Sequence, residues 1–344
     1  MKKRIMTMVM AITSLMSVPA TAQEAPGMTA EKEQTGIQSD KNGMERVTFP
    51  NRSITLVGNL YYLDNFDKEK KYPAVICVHP AGGVKEQTAG LYAKELSKNG
   101  FVALAFDASY NGESGGEPRL LEDPFVRCED IRCAVDYLVT LPFINEDCIG
   151  ALGVCIGGGY VMGVTPTERR IKAAASVSAT DAGAVNREGW MRGNSVETQI
   201  KNLEAVSAQR TKEARGVEPL LVPTVPEEFN DNAPAAFKEG YEYYRTPRGQ
   251  HPRSIGYSRF ISTDKKMAFS AIAQANLFTQ PALLIIGSKA ESAWSSRMIY
   301  DAIASERKEL FVIDGASHVD LYDKPEYVPT AVKKLYEFYH EHLQ

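Results

Sequence analysis

Gly153-Val154-Cys155-Ile156-Gly157-Gly158-Gly159 is the stretch of sequence that decides the fold of this chain. A short apolar strand is predicted just before it, over 148–154, and a helix can begin just after it, at Tyr160. A glycine-rich turn between a strand and a helix, with one reactive side chain at its apex, is typical of a nucleophile elbow. Serine usually stands at that apex. The pattern therefore predicts Cys155 as a nucleophile, and a structural cysteine in a glycine-rich turn is the alternative.

The predicted turn also bears on the acidity of the Cys155 thiol. It would place the sulfur against the first turn of the following helix, whose end carries a partial positive charge. Such an end lowers the pKa of a nearby thiol. We therefore expect a lowered pKa for Cys155.

Candidate partners for Cys155 follow later in the chain, in the order acid and then histidine. Glu291 lies in the loop after one predicted buried strand, and His318 lies in the loop after the next. Open α/β sheets place their ligands at the carboxyl ends of their strands, so these side chains should meet at one edge. Asp181 ends the predicted sixth strand and is the alternative to Glu291 as the acid.

Histidine is scarce, with five residues in the chain. His79 ends an apolar strand and opens a Pro-Ala-Gly-Gly loop, where a structural hydrogen-bonding role is expected. His340 and His342 lie on the polar end of the last predicted helix, and His251 lies in a polar segment flanked by proline. His318 is therefore the predicted catalytic base.

On these residues the chain resembles the α/β-hydrolases, and its cysteine elbow most resembles the dienelactone-hydrolase-like branch. The resemblance covers roughly residues 45–344 and is carried by the loop at His79, the elbow, and the loops at Glu291 and His318. It implies a mainly parallel twisted sheet flanked by helices, and hydrolysis of a small ester or lactone through a thioester acyl-enzyme. Two departures are a glutamate where compact dienelactone hydrolases use aspartate, and a long insertion after the sixth strand.

The elbow also indicates where an oxyanion would bind. In this arrangement one donor is the backbone N–H that follows the nucleophile, here that of Ile156, and the other comes from the loop after an earlier strand. Ala81, in the loop after the predicted third strand, is the best match for the second donor.

The insertion, about residues 181–275, does not follow the alternation of strands and helices seen elsewhere. Helical patterns over 194–214 and 227–244 are separated by prolines, which favours a helical lid over the site. Its candidate substrate-binding residues are the aromatics Trp190, Tyr241 and Tyr244, together with Asp181 at its start. The alternative is that these rings only pack the lid onto the core.

The N-terminus has the pattern of an export signal. Lys2-Lys3-Arg4 is followed by an apolar stretch and by Ala20-Thr21-Ala22, an A-x-A cleavage pattern. We expect a signal peptide over 1–22, a flexible polar leader over 23–44 and one catalytic domain over 45–344. The expected location is periplasmic or secreted, with no membrane anchor after cleavage.

Charge and cysteine usage limit the classes of partner. The 43 acidic and 39 basic residues, three of the latter in the predicted signal, argue against nucleic acid and anionic membranes as partners. The five cysteines do not suggest a disulfide framework, and no metal-ligand spacing is present, so no metal or cofactor is expected. A small-molecule substrate fits best.

Three other functions stay open at this stage. An acyltransferase would use the same triad with an alcohol in place of water. A non-catalytic binding protein could retain the hydrolase scaffold. A thiol-redox protein built on Cys155 is the third, but no resolving cysteine is evident in the sequence.

Overall fold

A computed structural model describes residues 43–343, so the predicted signal peptide and nearly all of the predicted leader lie outside the described residues. Most of the strands form one eight-stranded sheet, and two short strands form a separate ribbon. The strands are β1 (Met44–Asn51), β2 (Ile54–Tyr61), β3 (Tyr72–Val78), β4 (Val102–Asp107), β5 (Ile144–Val154), β6 (Ile171–Val177), β7 (Leu221–Pro223), β8 (Tyr257–Arg259), β9 (Ala282–Gly287) and β10 (Lys308–Ile313).

Helices cover the sheet and form part of the insertion. They are α1 (Thr88–Lys98), α2 (Pro124–Val139), α3 (Ile156–Val164), α4 (Ala182–Glu188), α5 (Val196–Ala214), α6 (Ala235–Arg245), α7 (Ser262–Ala268), α8 (Ala293–Ala302), α9 (Asp320–Asp323) and α10 (Val328–His342), with a 3-10 turn at Ala275–Leu277. Local sequence sets several of their ends. At α2, for example, the Asp123 carboxylate accepts the N–H groups of Phe125 and Val126, and Pro124 stands in the first turn.

The large sheet has the strand order β1-β2-β4-β3-β5-β6-β9-β10. The β1–β2 and β2–β4 pairs are antiparallel, and the other pairs are parallel. The central strands are buried along almost their whole length because helices cover both faces. The predicted fold, a mainly parallel sheet flanked by helices, is confirmed.

The order of the strands positions the candidate site. β5, β6, β9 and β10 are consecutive neighbours, so the loops at their carboxyl ends lie side by side. These loops carry Cys155, Asp181, Glu291 and His318. The sheet therefore brings the four candidate loops to one edge.

The insertion differs in detail from the sequence prediction. The helix predicted over 194–214 is present as α5, but the one predicted over 227–244 begins only at Ala235. Pro234 caps it with extended backbone, and residues 227–234 form bends and turns. The short ribbon of β7 and β8 was not predicted, because three-residue strands leave no periodic pattern.

Within residues 43–343, no helix has the length and apolar content needed to cross a membrane. The same residues contain no group of three or more His, Cys, Asp or Glu side chains placed to hold a metal ion.

Candidate active site

The turn between β5 and α3 has the strained geometry of a nucleophile elbow. Cys155 has a φ of 56° and a ψ of −125°, a backbone conformation that non-glycine residues rarely adopt. It is fixed on both sides, since its N–H donates to the carbonyl of Val177 (2.9 Å) and its carbonyl accepts from the N–H of Thr180 (3.0 Å). A Cβ on Gly153 would lie 2.2 Å from the carbonyl oxygen of Gly157, so glycine is required there.

The Cys155 sulfur is buried and has polar groups as its immediate neighbours. It is 3.3 Å from the Thr180 hydroxyl, and the hydroxyl of Tyr322 and the N–H of Ile156 also interact with it. Donors at these positions favour a thiolate, but burial outweighs them and raises the pKa of the thiol, and beside a neutral thiol the single Tyr322 O–H can donate to His318 instead. The expectation of a lowered pKa is therefore wrong. Cys155 is a neutral thiol in the resting site.

His318 is buried at the same edge and is also neutral. Its Nδ1 lies 2.5 Å from the Ser292 hydroxyl, and its Nε2 lies 3.1 Å from the Tyr322 hydroxyl. The indole of Trp190 packs edge-on against the imidazole, with ring centroids 5.1 Å apart. Burial lowers the pKa of His318 to about 3. A neutral imidazole can accept a proton, as a general base must.

The prediction that Glu291 orients His318 is wrong. Its carboxylate accepts the N–H groups of Ala235 (3.3 Å) and Ala236 (3.1 Å), at the start of α6. A helix start offers unpaired N–H groups and a partial positive charge, and these hold the Glu291 carboxylate against α6 of the insertion. The next residue, Ser292, faces His318 instead. Sequence reasoning missed Ser292 because it looked for a carboxylate in this loop.

Asp181, the alternative acid, is occupied elsewhere as well. One carboxylate oxygen accepts from the N–H of Ala184 (2.9 Å) and caps α4, and the other accepts from the N–H of Ala271 (2.8 Å). The side chain is fully buried and makes no hydrogen bond to His318. Asp181 therefore ties the two ends of the insertion together.

Ala81 and Ile156, the predicted oxyanion donors, differ in how their backbone N–H groups are placed. The N–H of Gly83 donates to the carbonyl of Pro80 (3.1 Å), which forms a turn with Ala81 at its second position. The N–H of Ala81 has no acceptor among the described residues, and the N–H of Ile156 faces the sulfur. Both residues line the cavity at Cys155, and their role as oxyanion donors stays a prediction.

This cavity has a volume of about 300 Å³ and is enclosed jointly by the sheet edge and the insertion. Its floor holds Cys155, His318 and Tyr322. Its walls include Val185, Val222, Val225, Pro226, Ala236 and Phe237. Lys266 brings a cation to the lining, but no ion pair to it occurs within residues 43–343, and burial lowers the pKa of its ammonium. The lining is mainly apolar.

The predicted aromatic residues fall on different sides of the insertion. Trp190 and Tyr244 line the cavity, and their substrate-binding role stays a prediction. Tyr241 does not, because its ring packs against Phe229 instead, with centroids 5.7 Å apart. Tyr243 is buried against Tyr322. The substrate-binding prediction for Tyr241 is therefore wrong, and α6 presents Tyr244 to the cavity.

His79 has the structural role expected of it. Its Nε2 accepts the N–H of Ala108 (3.1 Å), which leaves Nδ1 to donate to the carbonyl of Pro80 (2.7 Å). Burial and the nearby Arg127 guanidinium lower its pKa well below the usual value. Both ring nitrogens are engaged with backbone, so His79 cannot act as the base.

Known proteins resemble this chain over most of its length. The sequence profile of the dienelactone hydrolase family matches residues 62–182. The uncharacterized protein YcjY of Escherichia coli K12 is 41% identical over 294 residues, which cover 85% of this chain and 96% of YcjY. Protein PA2218 of Pseudomonas aeruginosa is 36% identical over 321 residues, covering 92% of this chain and 85% of PA2218.

Solved structures also resemble this chain over most of its length. The crystal structure of PA2218 superposes with a TM-score of 0.82 over 92% of this chain and 99% of that chain. The α/β-hydrolase GrgF from Penicillium superposes with a TM-score of 0.71 at 21% identity, over 87% of this chain and 99% of GrgF. GrgF, also named a polyketide transferase, thus shares the fold.

Proposed function

This chain belongs to the dienelactone hydrolase family of the α/β-hydrolases, and on that premise we propose that it hydrolyses a small carboxylic ester or lactone. Cys155 is the proposed nucleophile and His318 the proposed base. The observation that carries the proposal is convergence at the floor of one cavity, where the thiol, a neutral imidazole and two backbone donors lie together.

The resting charges define how the reaction would begin. With Cys155 and His318 both neutral, the thiol proton must pass to the imidazole as the sulfur attacks the substrate carbonyl. The carbonyl oxygen then becomes an oxyanion that accepts from the N–H groups of Ile156 and Ala81. One such donor contributes about 3 kcal/mol to stabilising the transition state. The imidazolium next protonates the alkoxide oxygen as it leaves, and water later releases the acyl group from sulfur.

The nature of the nucleophile limits the substrate class. A thiolate is a better leaving group than an alkoxide, so the first tetrahedral intermediate readily returns to reactants unless the substrate's own leaving group is good. Activated esters and strained lactones meet that condition, and amides do not. The cavity of about 300 Å³ lies at the small end of ligand pockets, which favours a short acyl group.

Adduct formation is the direct test of this proposal. Aryl esters of graded acyl length would be mixed with the protein, and the acyl mass would be located on the Cys155 peptide by mass spectrometry. A transient adduct at Cys155 with release of free acid supports hydrolysis. Absence of both across the series would leave the hydrolase fold with a binding role.

Acyl transfer to an alcohol is the second candidate function. It is favoured by the mainly apolar lining of the cavity and by GrgF, a relative named a polyketide transferase. Adding acceptor alcohols to the same assay separates the two functions. A transferase forms the new ester in preference to the free acid, whereas a hydrolase yields the acid.

Ser292 and Glu291 are neighbours in the same loop, and they should respond differently to substitution. Ser292→Ala is expected to lower kcat about tenfold, because the lost hydrogen bond to Nδ1 is worth about 1.5 kcal/mol and fixes the imidazole tautomer. Glu291→Gln should leave kcat within about twofold, since its side chain caps α6. Steady-state kinetics on one aryl ester compare the two. A greater loss of kcat in the Glu291 variant would restore Glu291 as the orienting acid.

Trp190 and Tyr244 should control the length of the acyl group. Alanine at either position removes an aromatic wall of the cavity, so kcat/KM for long acyl esters should rise relative to short ones by about 10- to 100-fold. Tyr241→Ala is the matched control on the same helix, because its ring lies against Phe229. Equal selectivity in all three variants would mean that these rings serve only to pack the insertion.

A further inference from the structure

Tyr322 stands between the two groups that the proposed mechanism must connect. Its hydroxyl is 3.1 Å from Nε2 of His318 and also interacts with the sulfur of Cys155. No hydrogen bond joins the sulfur directly to the imidazole within the described residues. Tyr322 therefore offers an indirect hydrogen-bonded route between the thiol and its proposed base.

We propose that the Tyr322 hydroxyl relays the proton from Cys155 to His318. This inference rests on the proposed hydrolase function and adds a catalytic residue to it, because the hydroxyl touches the reacting sulfur. A hydroxyl can accept one proton while it donates another, so it can join a thiol donor to an imidazole acceptor.

The hydrogen bonds set the direction of the relay. Nε2 can accept the Tyr322 O–H only when Nδ1 carries the ring proton, and Nδ1 then donates that proton to the Ser292 hydroxyl oxygen. The Tyr322 oxygen keeps two lone pairs, one that can accept from the Tyr244 hydroxyl and one that can accept from the thiol. When the thiol hydrogen turns to Tyr322 and not to the Thr180 hydroxyl, 3.3 Å from the sulfur, the contacts form one chain from S–H to O–H to ring nitrogen.

The step balances without any further reactant. The Cys155 S–H bond breaks and its proton binds the Tyr322 oxygen, while the Tyr322 O–H proton binds Nε2 of His318. An electron pair of the sulfur forms the C–S bond. The π electrons of the substrate carbonyl move to its oxygen, which becomes the oxyanion. Tyr322 ends as a neutral phenol and His318 as an imidazolium, whose new proton goes to the leaving alkoxide.

The surroundings of Tyr322 hold its ring in this place. It lies on the short helix α9, four positions after His318 and one turn away, with its side chain buried. The ring of Tyr243 packs perpendicular to it at 5.2 Å, and the hydroxyl of Tyr244 interacts with its own. Its burial raises the pKa of the phenol well above the usual value, so it does not ionise on its own.

The test uses Tyr322→Phe, which keeps the ring and removes the relay. Tyr300→Phe is the matched control, a tyrosine on α8 whose hydroxyl makes no hydrogen bond within residues 43–343. The first readout is alkylation of Cys155 by iodoacetamide, followed peptide by peptide with Cys148 as internal standard. We expect Tyr322→Phe to slow alkylation of Cys155 at least tenfold and to leave Cys148 and the control variant unchanged.

The second readout is the acylation rate with a nitrophenyl ester in mixtures of light and heavy water. Two protons move in the relay, so the wild-type acylation rate should fall along a curve when it is plotted against the deuterium fraction of the solvent. Tyr322→Phe should react at least tenfold more slowly and give a straight line. A double variant with His318→Gln should be no slower than His318→Gln alone, because the two groups act in series.

The outcomes separate this inference from the function on which it rests. An unchanged alkylation rate in Tyr322→Phe overturns the relay, whatever the enzyme hydrolyses. The relay is also overturned if the acylation rate of Tyr322→Phe depends on deuterium content along the same curve as wild type. If Tyr322→Phe slows alkylation but wild type forms no acyl adduct, the relay stands and the hydrolase function fails.

Discussion

Replacing Cys155 with alanine is expected to abolish turnover of an activated aryl ester, with kcat lower by a factor of about 10⁴ or more. Without the sulfur no acyl-enzyme can form, and a nucleophile and its base act as one unit. The folded state should persist, because alanine occupies the same backbone position and removes only one buried atom. Initial rates and a thermal melt, measured on the same sample, check both statements.

Cys133→Ala is the control for this experiment, since it removes a second free thiol that lies on α2. Its activity should equal that of the wild type. Cys155→Ser should retain only a small part of the rate, because an alkoxide needs stronger help from its base than a thiolate. Full turnover in the alanine variant would remove Cys155 from the mechanism and return it to the role of a structural cysteine.

The part of the site that sequence could predict is the part encoded locally. The elbow is defined by glycines at fixed offsets from Cys155, and the added Cβ clash at Gly153 shows why they are needed. His318 could be found because the alternation of strands and helices fixes which loop follows which strand. These two signals depend on neighbours in sequence and on the order of the strands.

The errors arose where a distant segment decides the direction of a side chain. Glu291 and Ser292 are adjacent, and only the N-terminus of α6, brought in by the insertion, turns the carboxylate away from the imidazole. The pKa of the Cys155 thiol differs from the prediction for a related reason. The sequence indicates that a helix starts after Cys155, but it does not indicate how deeply the sulfur is buried. Tyr322 had a readable signal, its four-residue spacing from His318.

Replacing His318 with glutamine is expected to lower kcat/KM by about 10³-fold, the usual contribution of a general base. Glutamine retains a hydrogen-bonding amide for Ser292 but cannot accept the proton in the attack. Initial rates over a range of ester concentrations give the loss, and adduct mass spectrometry shows whether acylation is the slow step. A loss of less than tenfold would assign the base to another group.

The same variant tests whether the imidazole is buried in its neutral form. The pKa of His318 is about 3 in the folded protein and about 6.5 in an unfolded chain, so between these values only the unfolded chain binds this proton. Wild-type stability should therefore fall as pH falls below 6.5, by about 1.4 kcal/mol per pH unit from this residue. The glutamine variant lacks that loss, while the contribution of His79, which is buried in both proteins, cancels in the comparison.

Urea unfolding at several pH values measures the effect. The free energy of unfolding of the variant should rise relative to that of the wild type as the solution is acidified from pH 7. A constant difference between the two proteins down to pH 5 would mean that His318 takes up its proton as readily in the folded state as in the unfolded one, and the neutral thiol–imidazole pair would have to be abandoned.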